Sequence, residues 1–142
     1  MKNFKHVCRI FFVAVFLGIL VSPVQAGEVK KRDDGIHYQP WIKNISFLDL
    51  KEDLKEALGS KKIGLVVIFE QPGCGSCKKL HEVNFNNKPL VKLITTNFDV
   101  LQINMYGSSE VTDMGGAVID ERAFAEQMAV NFTPTTAFFD ES

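Results

Sequence analysis

The feature that most constrains this chain is Cys74-Gly75-Ser76-Cys77, set directly after the apolar run Ile63–Phe69. The run is continuously apolar and rich in β-branched residues, as in a strand buried on both faces, which requires a sheet with helices on each side. Strand, short turn, then CxxC opening a helix is the layout of a thiol–disulfide redox site. Thr133-Pro134-Thr135, about sixty residues later, precedes another apolar run, Thr136–Phe139.

The cysteines make this sharper. Residues 1–26 read as a secretory signal peptide. Lys2, Lys5 and Arg9 give a positive start, Ile10–Val21 is apolar, Pro23 breaks the run, and Val24-Gln25-Ala26 supplies a cleavage site before Gly27. The apolar run falls short of the roughly 20 residues a membrane span needs. Cys8 lacks the small-residue context of a lipid site. Removing this leader leaves Cys74 and Cys77 as the only cysteines. A bridge between residues so close closes too small a loop to staple a fold, so its value lies in reactivity. Removal also leaves 13 Lys+Arg against 17 Asp+Glu, a mild acidity that argues against nucleic-acid partners.

Residues 27–36 are polar and read as a flexible lead, within an N-terminal extension running to residue 45 that packs His37, Tyr38 and Trp41 on the body. Ser46 is the expected cap of a helix, with Asp49 completing a shortened capping box. Leu50, Leu54, Ala57 and Leu58 follow at helical spacing and Gly59 ends the run. The next helix is expected from Cys74 to about Phe85, with Leu80 and Val83 inward. Another starts at Pro89, with Leu90, Leu93 and Ile94 inward. Phe98–Asn104 is a strand, Met105–Asp120 a structured loop or small hairpin, Glu121 to about Val130 a helix, and Thr135–Phe139 the last strand. The alternation predicts one α/β domain over residues 46–142 with short right-handed crossovers.

Other readings of the same residues are weaker. Zinc could use Cys74, Cys77 and His81, but a structural site needs a fourth ligand, there is no second CxxC, and His37 is far off in sequence. Haem attachment needs a histidine where Lys78 stands. His81 reads as a surface or satisfied helix residue rather than a catalytic base, and Asp113, Gly115 and Gly116 lack the acidic density of a calcium loop.

Over residues 46–140 the chain resembles the thioredoxin superfamily. Phe69-Glu70-Gln71-Pro72-Gly73-Cys74, Cys77-Lys78-Lys79-Leu80-His81, Val111-Thr112-Asp113 and Phe132-Thr133-Pro134-Thr135 are most similar to the SoxW-type exported thioredoxins of bacteria. The resemblance implies a three-layer α/β/α sandwich with a central mixed sheet. It also implies a redox-active Cys74–Cys77 disulfide as the only redox group, with no separate cofactor or metal, and a cis Pro134 facing it. Cys74 would attack and Cys77 resolve, while Gly75, Ser76, Thr133 and Pro134 would meet the substrate peptide. The implied activity is reduction of disulfides in exported, periplasmic proteins. A membrane thiol reductant would resupply the electrons, and the partners would lie in sulfur oxidation or cytochrome maturation. Oxidase or isomerase action, or peptide binding without catalysis, are the alternatives.

Two departures stand out. Six residues before the first cysteine, where cytosolic thioredoxins carry a buried aspartate, this chain has Ile68; Glu70 is the nearest acid and reads as either a substitute or a solvated residue. The superfamily's final strand and helix would follow residue 142, so the sequence is expected to be a C-terminally truncated version of a longer protein.

Overall fold

The computed structural model describes residues 29–43 and 47–141. The proposed signal peptide and Ser46 lie outside them. The strand β1 (Gly64–Glu70) is buried along its whole length. It pairs in parallel with β2 (Phe98–Asn104), Val67 opposite Leu101, and antiparallel with β5 (Thr135–Phe139), Val67 opposite Ala137. The mixed sheet therefore runs β2-β1-β5.

Because successive side chains point to opposite faces, β1 feeds two cores. Leu65, Val67 and Phe69 join Leu101 and Ile103 under α1 (Leu50–Gly59) and α4 (Glu121–Gln127), through Leu50, Leu54, Phe124 and Ala125. Val66 and Ile68 join Val100, Ile42 and Phe85 on the other face, with Leu80, Val91 and Ile94 packed on them. Those last three come from the helix after the CxxC and from α3 (Lys88–Asn97). Helix, sheet and helix make the expected three layers.

Several local expectations are corrected. Asp49, not Ser46, is the N-cap of α1, its carboxylate accepting the Glu52 N–H at 3.0 Å. The helix expected over 74–85 is α2 (Gly75–Lys79) followed by a wider π turn, Leu80–Asn84. The extra residue in that turn rotates the face: His81 and Phe85 turn inward and Val83 is 60% exposed. In α3, Val91 and Ile94 pack while Leu93 faces solvent. Helix α4 stops at Gln127, where Ala129 takes a positive φ and lets Val130 drop into the core. Met105–Asp120 contains the hairpin β3 (Glu110–Thr112) and β4 (Val118–Asp120). Its turn is held by Asp113, which accepts the N–H groups of Gly115 and Ala117 at 2.8 and 2.9 Å.

The described part of the polar lead is pinned rather than flexible. Tyr38 N–H donates to the Lys30 carbonyl at 2.8 Å, Arg32 reaches the Gln102 carbonyl at 3.2 Å, and Ile36 is completely buried.

Candidate functional site

The site lies where β1 hands the chain to α2. Gln71 to Gly73 turn sharply, with Gly73 at φ 75. Cys74 then becomes the N-cap of α2, in extended conformation. An N-cap side chain faces the first free amides of its helix, and here the Cys77 N–H donates to Cys74 Sγ at 3.0 Å. Cys74 and Cys77 are joined in a disulfide. Cys74 keeps 7% exposure and Cys77 none.

The strand β5 brings the second half. The Thr133–Pro134 peptide is cis. The Thr133 hydroxyl donates to Cys74 Sγ at 3.3 Å, and the Thr133 carbonyl oxygen lies 3.7 Å from the same sulfur. Once the disulfide is reduced, an amide and a hydroxyl point at the Cys74 sulfur, both favouring the thiolate. Ser76 and Pro134 meet across an open groove of about 290 Å³ lined also by Lys79, Leu80, Val83 and Asn84. Exposed Phe132 lies next to Thr133 in the chain. Gly75 is exposed at the start of α2, and a side chain there would meet nothing within 4 Å. Lys78 and Lys79 face solvent, Lys78 3.5 Å from Glu82.

The other expectations shift. Ile68 is an apolar member of the second core. Glu70 is neither solvated nor exposed: it is fully buried, and so is His81, which the sequence places at the surface or in a satisfied position. His81 Nε2 meets Glu70 Oε1 at 2.5 Å, and His37 Nδ1 meets Oε2 at 3.1 Å. The His37 backbone N–H adds a third donor at 3.3 Å. Burial pushes the Glu70 carboxyl up, but the hydrogen bond and charge of His81, then the side-chain and backbone hydrogen bonds of His37, outweigh it and hold it below the usual carboxylate range. His81 Nε2 is thus taken up by Glu70. The three side chains offer donor atoms within 4.8 Å of one another, which a divalent metal could also use. Glu70 had a signal in sequence as the one charge ending a wholly buried strand. The sequence predicts His37 packed on the body, but nothing in it pairs His37 with Glu70, 33 residues away.

Residues 50–142 match a family described as a thioredoxin-like domain, well over half of the chain. The chain belongs to that family, a thioredoxin fold with its CxxC pair at the head of a helix. No curated protein matches it.

Proposed function

We propose that this protein is an exported thiol–disulfide oxidoreductase that keeps partner disulfides reduced, akin to the SoxW-type thioredoxins. The observation carrying the reading is Cys74 at the N-cap of α2, its sulfur met by the Cys77 amide and the Thr133 hydroxyl beside cis Pro134. The Cys74 thiolate attacks one sulfur of a partner disulfide: the partner's S–S bond breaks, its other sulfur leaves as a thiolate that takes up a proton, and a mixed disulfide with Cys74 remains. Cys77 then attacks Cys74 Sγ, forming the Cys74–Cys77 bond and releasing the partner's sulfur as a thiolate that takes up a proton. Two electrons pass from the dithiol to the partner.

An extended partner strand would lie in the groove between Ser76 and Pro134, pairing with the backbone of Thr133. The leader pattern of residues 1–26 supports export to the periplasm, and a membrane thiol reductant would restore the dithiol there. Partners in sulfur oxidation or cytochrome maturation follow from the SoxW likeness.

The test is the reduction potential of Cys74–Cys77 in the mature protein, equilibrated against thiol buffers and read by alkylation. A value near about −270 mV fits a reductant, and one near about −120 mV means an oxidant and reverses the direction. Cys74→Ser should abolish disulfide reduction. A variant that keeps full function would make the protein a peptide binder instead.

A further inference from the structure

The strand that leads into the CxxC ends on a buried carboxylate, and two histidines close on it. Glu70 is the last residue of β1, His81 sits in the π turn Leu80–Asn84, and His37 comes from the N-terminal segment. His81 Nε2 stands 2.5 Å from one carboxylate oxygen and His37 Nδ1 3.1 Å from the other. His37 is 3% exposed and the other two not at all. The exchange chemistry above uses none of them. Among the described residues they are the one group of three His, Cys, Asp or Glu side chains whose donor atoms converge, all within 4.8 Å of one another.

Hydrogen bonding alone leaves this cluster incomplete. A carboxylate only accepts hydrogen bonds, so ionised Glu70 holds the His37 ring proton on Nδ1 and the His81 proton on Nε2. His81 Nδ1 is then a buried acceptor, and it has no partner. Buried polar atoms without partners are scarce in native proteins, and an ion in the site is one cause of them. An ion held between the carboxylate and the two rings takes the lone pairs of His37 Nδ1 and His81 Nε2 and sends each proton to the ring's other nitrogen. For His81 that nitrogen is Nδ1, where no donor stands in the way. The π turn that brings His81 inward is itself a device found mostly at functional sites.

We propose that His37, Glu70 and His81 bind a zinc ion, with a water as fourth ligand. The site goes beyond the redox reading and needs neither cysteine. Two imidazoles and one carboxylate are a donor set that suits zinc. Donors about 2.0 Å from a tetrahedral zinc lie roughly 3.3 Å apart. The His81–Glu70 pair therefore opens a little, and the widest gap closes by at most about 1.5 Å. The His37 and His81 rings are centred 5.2 Å apart and Phe85 stands edge-on to His81 at 4.9 Å. This crowding disfavours magnesium, which keeps several waters. Glu70 balances one of the two positive charges, and a proton lost from the bound water balances the other. His37 lies on an irregular segment joined to Lys31 by an isolated bridge, so local opening of that segment admits the ion. Once bound, zinc ties the N-terminal segment to the end of β1 and to the turn that follows α2.

The experiment is equilibrium dialysis of the mature protein against zinc, with the Cys74–Cys77 disulfide closed and bound metal counted by elemental mass spectrometry. The closed disulfide removes both cysteines as ligands, so the result does not depend on whether the dithiol is active. One equivalent should be held with a dissociation constant of about 1 μM or tighter. His37→Gln and His81→Gln, which each keep a donor for Glu70, should weaken binding by about 10²-fold or more. Cobalt in place of zinc should give the visible absorption of a four-coordinate ion without a thiolate charge-transfer band. A wild type that holds no zinc overturns the proposal. So does zinc held as tightly by either variant, which places it elsewhere, and zinc taken up only after reduction, which assigns it to Cys74 and Cys77. Should the variants not fold, the cobalt spectrum of the wild type decides, and a weak six-coordinate spectrum or none refutes the site.

Discussion

Cys74 and Cys77 are three residues apart and chemically alike, yet their surroundings separate them. Cys74 caps a helix and keeps a slit of exposure, while Cys77 has none. After reduction, one cysteine should therefore react quickly with iodoacetamide and the other only on unfolding, with rates at least about 10-fold apart. Mass mapping of the first adduct should place it on Cys74, and equal labelling of both would contradict the asymmetry. The CxxC and Thr-Pro-Thr were legible as sequence because their chemistry is local. The Glu70 cluster was legible only in part, since its meaning depends on His37 arriving from a distant segment.

At the scale of elements, β1 is the axis of the molecule and its first residue shows how tightly it is held. A Cβ on Gly64 would overlap the carbonyl oxygen of Phe139 in the neighbouring strand. Backbone cannot rotate away as a side-chain tip can, so Gly64→Ala should cost about 2 kcal/mol, seen as a lower urea midpoint. Gly59, at the end of α1, has open space around its Cα. Gly59→Ala should be neutral or stabilise by about 0.5 kcal/mol, which makes it the matched control. Strand and helix positions were readable from periodicity, but two inner faces were not. The π turn at Leu80–Asn84 changes the helical period, and that change exposes Val83 and buries His81. A constant period of 3.6 cannot anticipate it.

At the scale of the whole molecule, two buried carboxylates shift in opposite directions and should shape its stability against pH. Glu70 is held below the usual range, so its contribution is present above the unfolded value and is lost as pH falls through the folded one. Glu70→Gln should lower stability at neutral pH by about 3 kcal/mol and flatten the acid limb of denaturation midpoints against pH. Glu121 is raised, chiefly by burial, with the Asn104 N–H opposing. Its contribution is present below the unfolded value and is lost as pH rises through the folded one. Glu121→Gln should therefore gain stability at neutral pH and nothing in acid. A glutamine at 70 that leaves the acid limb as steep as before would refute the assignment to Glu70.

The sequence by itself determined the α/β alternation, the strand buried on both faces and the placing of a dithiol at a helix start. Each of these is written in a few adjacent residues and enforced by side-chain periodicity or backbone amides. Tertiary structure decided what lies against that dithiol. It set Thr133 and Pro134 across from Cys74, drew the polar lead onto the sheet, and closed His37, Glu70 and His81 into one buried cluster. Burial and hydrogen-bond pairing between distant segments fix these features, and they exist only once the chain has packed.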